Sequence, residues 1–390
     1  MSTKKLVLFY GLLIILCLLM LEAGLHTLNF FAGWMSAATE PPVWASLQQN
    51  FRTPTNDTGT YQLVYHPFLG TRSAEYHGGS INVNAEHLRE SWNPNFRAEE
   101  NPKQVFLFGG STMWGVGVSD AETIASQVSR QLNRNKPSYE ITNYGDMGHS
   151  NNVELIHLVT LLKEGKIPDY VIFYDGVNDV LGAFNSGTVN SSTIHEQIRL
   201  FIYNSPRTGW QHITYGFGQW LKDYSMITRS FLLLKDAVQG KKPGLQQLIA
   251  YEQEDLDILA EKLVQNYENN IRFIQTIAPG YGFEARFFWQ PCLYTEAVIM
   301  PEEEAGEPLL KIEDLKYLYN RVNQILREWS HPGFYNISDI FGNRNRVYYL
   351  DFCHINAEGN ALVAQRMADL MQQDGFLVCE TELQGVSESK

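Results

Sequence analysis

Residues 6–21 read LVLFYGLLIILCLLML, an apolar run that Glu22 interrupts before a mixed stretch reaches Leu25, Phe30 and Phe31. About 20 helical residues cross a bilayer core, so the run predicts a membrane span only if its helix continues past Glu22. Residues 35–102 keep no sustained period and are rich in Pro, Asn, Thr and Gly, which predicts a stem with irregular or short β structure. From Gln104 onward the pattern changes. Short, mainly apolar stretches at 105–108, 139–142, 170–174, 286–289 and 334–337 predict strands, with helical spacing between them. Ile124, Val128 and Leu132 share one helical face behind a Ser119/Glu122 capping-box spacing, and Leu155, Leu158, Val159 and Leu162 share another behind Asn151. Leu256, Leu259, Leu263, Tyr267, Ile271 and Ile274 mark a long helix over 252–277. Further helices are expected over 315–329 and after Asn356. This alternation predicts an α/β fold, with a parallel sheet covered on both faces, over 103–376. Residues 182–250 break the rhythm and are expected to be a helical insertion, and 377–390 a flexible acidic tail.

Charge orients this plan. Lys4 and Lys5 precede the apolar run and no Lys or Arg follows until Arg52, so the N-terminus is expected in the cytoplasm and the bulk outside it. A cleaved signal peptide shares the basic start and apolar run. Its small-residue candidate, Ser36-Ala37-Ala38, lies far beyond that run, which favours an uncleaved anchor over 1–34. The 390 residues, 44% hydrophobic, suffice for a sizeable core. The net charge of −13 has the wrong sign for a nucleic-acid surface, and no nucleic-acid partner is expected. Cys17, Cys292, Cys353 and Cys379 match neither a zinc spacing nor a disulfide framework, so no metal is expected.

Ligands of open parallel sheets bind beyond the carboxyl ends of the strands. There the first strand is followed by Gly109-Gly110-Ser111-Thr112, the second by Asn143-Tyr144-Gly145-Asp146-Met147-Gly148, and the third by Asp175-Gly176-Val177-Asn178-Asp179. After the fifth comes Asp351-Phe352-Cys353-His354. Each cluster alone reads more simply as a turn or a surface pair. Together, and in this order, they resemble the SGNH hydrolases, the GDSL-type lipases and esterases. The chain departs from the Gly-Asp-Ser-Leu signature by having Gly110 before Ser111 and Thr112 after it, a variant similar to that of membrane-anchored bacterial members.

The resemblance implies a three-layer α/β/α fold with a flavodoxin-like five-stranded parallel sheet. It also implies a catalytic triad of Ser111, His354 and Asp351, an oxyanion hole from Ser111, Gly148 and Asn178, and no cofactor. The expected reaction is hydrolysis of O-acyl esters, with acetyl groups on a polysaccharide as the substrate. An O-acyltransferase using the same residues and a non-catalytic glycan-binding component are the alternatives. Trp114, Tyr174, Trp289, Gln290 and Tyr294 are candidate pocket-lining residues, although core packing is the commoner explanation for any one of them. His149 is expected to face solvent or to cap a helix, and a Cys292–Cys353 disulfide is a further hypothesis.

Overall fold

The structure is a computed structural model. It describes residues 3–36, 63–97, 100–190, 225, 251–296, 298–304, 309–342 and 345–377. The chain divides into two compact units, one of Met1–Leu47 with Arg199–Gln246 and one of Gln48–Ile198 with Gln247–Lys390.

In the first unit, helix α1 (Thr3–Ser36) continues well past Glu22. Its stretch Phe9–Thr27 is long and apolar enough to cross a membrane or to serve as a signal sequence. Glu22 does not break the helix, since glutamate is itself a good helix former, and its carboxylate is partnered. It lies 3.2 Å from His26 Nε2 one turn on and accepts the Ser225 hydroxyl at 3.0 Å. A carboxylate in an apolar run is tolerated when such partners satisfy it. The rest of the expected insertion, the expected tail beyond 377 and the pair Ala37-Ala38 lie outside the described residues.

The second unit opens with two small antiparallel hairpins. Strand β1 (Leu63–His66) pairs with β2 (Gly70–Ser73), and β3 (Tyr76–His77) with β4 (Asn82–Val83). The segment read from sequence as a stem is thus, over 63–97, part of the domain that carries the sheet. A buried ion pair fixes it there. Arg72 Nε lies 2.7 Å from Asp146 Oδ2, and the Ser73 hydroxyl donates to Asp146 Oδ1 at 2.7 Å. Their side chains are 5% and 1% exposed, so removing one partner would strand a charge away from water. Arg72→Met is therefore expected to cost the domain about 3–5 kcal/mol in chemical denaturation. Loss below about 1 kcal/mol would contradict the pairing.

Strand β5 (Lys103–Gly109) leads through the short helix α2 (Ser111–Trp114) and helix α3 (Ile124–Leu132) to β6 (Tyr139–Asn143). Helix α4 (Asn151–Lys163), strand β7 (Tyr170–Asp175) and helix α5 (Val177–Ser186) follow. After the insertion come α6 (Gln253–Tyr281), β8 (Glu284–Trp289), α7 (Glu313–Arg327), β9 (Phe334–Asn336) and α8 (Ala357–Gln373). The five longer strands form one parallel sheet in the order β6-β5-β7-β8-β9. Numbered along the sheet this is 2-1-3-4-5, the flavodoxin-like doubly wound order. Helices α3 and α8 pack together on one face, and α4, α5, α6 and α7 on the other, which gives the three layers expected.

The sheet core is aromatic. Phe108, Phe173 and Phe287 are neighbours in register on β5, β7 and β8, with successive ring centroids 5.2 Å apart and nearly parallel planes. Cross-strand aromatic pairs of this kind stabilise a sheet beyond their area alone. Two expected helix starts shift. The Ser119/Glu122 capping box closes a single 3₁₀ turn, and α3 starts behind Thr123, whose hydroxyl accepts Ser126 N–H at 3.1 Å. Asn151 is the first residue of α4 rather than its cap, because its side chain is drawn inward to Asp175. Asn356 does cap α8, accepting Gly359 N–H at 2.9 Å.

Candidate active site

Gly109 and Gly110 bring β5 to its end and Ser111 begins α2, which places the serine on the carboxyl edge of the central strand. A Cβ on Gly110 would run into the Asn178 amide and lie 3.1 Å from the His149 carbonyl, so a larger residue there would have to displace the Asn178 side chain. The Asn178 Nδ2 donates to that same carbonyl at 2.8 Å. The three loops after β5, β6 and β7 are therefore locked around one point, and the second N–H of the Asn178 amide has no acceptor among the described residues. Gly148 has φ +67°, which its position in the β6 loop requires and which side chains disfavour. Neither the Ser111 nor the Gly148 backbone N–H has an acceptor among the described residues.

The residues from Leu350 to His354 form a tight turn, closed by a Leu350 N–H to His354 carbonyl bond of 2.8 Å and a Tyr349–Ile355 bridge. Within it Asp351 Oδ1 accepts the backbone N–H groups of Cys353 (2.9 Å) and His354 (2.7 Å). Its Oδ2 lies 2.5 Å from His354 Nδ1, and His354 Nε2 lies 2.7 Å from Ser111 Oγ. Asp351 and His354 are buried, at 9% and 7% exposure. Burial pushes the Asp351 carboxyl upward, but the His354 charge, the hydrogen bond to His354 and the two backbone donors outweigh it and hold the carboxyl below its ordinary value. Asp351 is thus an acceptor at neutral pH, which assigns the Nδ1 proton to the Asp351 side and leaves Nε2 to accept from Ser111. Asp351, Cys353 and His354 also bring potential metal donor atoms within 4.8 Å of one another. Both ring nitrogens of His354 are, however, already engaged by Asp351 and Ser111.

The candidate pocket-lining residues fare differently. Trp114 is buried in a small cluster with Ile81, Val83 and Val116, with the Arg89 guanidinium 4.3 Å above its ring. Trp289 is fully buried, edge-on to Tyr267 and beneath Gly176, and Tyr174 is buried within the sheet core. These three are packing residues rather than pocket walls. Gln290, also buried, accepts the Thr112 hydroxyl at 2.7 Å and so ties the residue after Ser111 to the end of β8. Tyr294 spends its hydroxyl on the Leu309 carbonyl and lines a polar groove of about 440 Å³ with Asn320, Asn323, Gln324 and Arg327. The 293–295 turn beside this groove donates the Leu293 N–H to the Phe352 carbonyl, inside the turn that carries Asp351 and His354.

His149 neither faces solvent nor caps a helix. It is buried, with Nε2 3.0 Å from the Thr71 carbonyl, so the β1–β2 hairpin braces the Gly148 loop through His149 as well as through Asp146. Cys292 and Cys353 are buried thiols and form no disulfide. The bracing residues Arg72 and Ser73 escaped the sequence reading because no local pattern links them to a loop more than 70 positions away.

No family model matches the chain, and no curated protein matches it. Solved structures do. An acetyl xylan esterase matches at 14% identity over 68% of this chain and 98% of its own, with a TM-score of 0.34. A carbohydrate acetylesterase family member from Sinorhizobium meliloti matches at 15% identity over 70% and 98%, with a TM-score of 0.34. A member of the lipolytic G-D-S-L family from Veillonella parvula matches at 12% identity over 69% and 98%, with a TM-score of 0.37. At this level of similarity the roles of single residues rest on the geometry of this chain itself.

Proposed function

We propose that this chain is a serine esterase that hydrolyses O-acyl esters through a Ser111–His354–Asp351 triad. One observation carries the reading: the hydrogen-bonded series Asp351–His354–Ser111, with links of 2.5 and 2.7 Å, at the carboxyl edge of the sheet. His354 Nε2 takes the Ser111 proton as Oγ attacks the acyl carbonyl carbon, and Asp351 offsets the imidazolium charge. The carbonyl oxygen becomes an oxyanion facing the N–H groups of Ser111 and Gly148 and the unspent amide N–H of Asn178. Collapse of the tetrahedral intermediate expels the alcohol, which takes the proton from His354 and leaves an acyl-serine. Water, deprotonated by the same nitrogen, releases the acid and restores Ser111.

The natural substrate in this reading is an acetylated polysaccharide. The domain works outside the cytoplasm, held by α1, with Lys4 and Lys5 marking the cytoplasmic end.

The test is hydrolysis of p-nitrophenyl esters from acetyl to palmitoyl by the full-length protein. Turnover is expected to be fastest with the acetyl ester, and absence of turnover on every ester would contradict the proposal. Asn178→Ala should lower kcat by about 10²–10³-fold with KM little changed, since the lost donor acts on the oxyanion. A change confined to KM would remove Asn178 from that role.

A further inference from the structure

Beneath the Asn178 loop three carboxyl groups meet. Asp175 ends β7, Asp179 lies in the first turn of α5, and Glu154 faces them from α4. Glu154 and Asp175 are 1% and 3% exposed. Around the three stand Asn151 of α4, Tyr267 and Asn270 of α6, and Tyr319 of α7. None of these brings positive charge, and the charges acting most strongly on the cluster are its own.

The hydrogen bonds are unevenly shared. Asp179 accepts two backbone N–H groups, from Asn151 at 3.1 Å and Gly176 at 3.3 Å. Asp175 Oδ2 accepts the Asn151 amide at 2.9 Å and the Tyr267 hydroxyl at 3.0 Å. No such donor reaches Asp175 Oδ1 or either oxygen of Glu154 among the described residues. What remains for each is the other carboxyl, and the two side chains are within hydrogen-bonding reach. Two carboxylates cannot satisfy one another, whereas a carboxylic acid donates to a carboxylate. Asp175 already has two donors, so the proton shared between these two belongs on Glu154; burial and the Asp175 charge raise Asp179 as well, to about 8. Burial, then the neighbouring Asp175 charge, raise the Glu154 carboxyl well above its ordinary value.

We propose that Glu154 is a positioning residue for the esterase site: it keeps its proton at neutral pH, donates it to Asp175 Oδ1, and so holds the strand end from which Gly176, Val177 and Asn178 emerge. Its bearing on Asn178 rests on the esterase reading; the retained proton does not. A carboxyl whose folded value is raised binds its proton more tightly in the native state. The contribution of Glu154 to stability is therefore greatest below the ordinary carboxylate range and declines as pH rises toward the raised value. Loss of the proton sets two buried carboxylates against each other directly under the loop that carries Asn178.

The test compares the full-length protein with Glu154→Gln, whose amide can donate to the same oxygen and cannot ionise. Near pH 7 the variant should match the parent within about twofold in kcat, and toward pH 9 the parent should lose about threefold more kcat than the variant, a partial misplacement of one oxyanion donor. The parent's thermal midpoint should also fall more steeply over that interval. Parallel profiles in both measurements would overturn the proposal, and a difference in stability without one in kcat would overturn the positioning role. If Glu154→Gln fails to fold, the parent labelled with ¹³C at its glutamate carboxyls should show one carboxyl still protonated near pH 7, and its absence would overturn the proposal. Failure of the parent to turn over any ester would count against the esterase reading, whereas the carboxyl signal decides the Glu154 proton separately.

Discussion

Ser111→Ala is expected to lower kcat on p-nitrophenyl acetate by about 10⁴-fold or more while leaving the thermal midpoint unchanged. The size follows from chemistry, because no acyl-serine forms and what survives is the contribution of the oxyanion donors to attack by water. The unchanged midpoint follows from packing. Ser111 is half-buried and its hydroxyl meets His354 alone among the described side chains, so the alanine leaves no strained or stranded partner. His354→Ala should cost a similar factor, and the double variant little more than either single one, since the two residues act as one unit. Steady-state kinetics on the three variants decides this, and multiplicative losses would contradict a shared role.

Asp351→Asn should be nearly as severe, at about 10⁴-fold in kcat. The asparagine keeps the shape but exchanges one acceptor for an NH₂. If its oxygen keeps the Cys353 and His354 backbone donors, the NH₂ meets His354 Nδ1 and makes that nitrogen the acceptor, which puts the ring proton on Nε2. Ser111 then has no base. The same substitution should alter the response to acid. The Asp351 carboxyl lies below its ordinary value of 3.8, so it contributes stability that is present above that value and lost as pH falls through the lower one. Thermal midpoints below about pH 4 should therefore decline more steeply in the parent than in Asp351→Asn. Equal slopes would show that the Asp351–His354 link adds nothing to the fold.

How far the sequence carries the fold depends on the length over which its signals act. The apolar residues of 105–108, 170–174 and 287–289 lie within strands β5, β7 and β8 because the part of a strand buried on both faces must be apolar. The order of Ser111, Gly148, Asn178 and His354 along the chain was likewise legible, since each follows a strand onto the same sheet edge. Burial was less legible. Trp114 and Trp289 sit beside site residues in sequence, yet their rings turn into the core, and nothing local distinguishes a ring that lines a pocket from one that fills a cluster. Long-range polar partners were the least legible. Arg72 with Asp146 and Glu154 with Asp175 are joined only by folding, and an acidic or basic residue in a loop or helix reads as a solvated one until the partner is known. Over 63–97 the two short hairpins are held by Arg72, Ser73 and Arg89 together with the small cluster of Ile81, Val83, Trp114 and Val116, partners that no local pattern reveals.

The most direct test of the esterase account asks whether Ser111 is a nucleophile in the folded protein. Full-length protein treated with a fluorophosphonate and mapped by peptide mass spectrometry should carry the adduct on Ser111, with labelling abolished in His354→Ala even on longer exposure. A folded protein whose Ser111 stays unmodified, or which is labelled equally with and without His354, would contradict it.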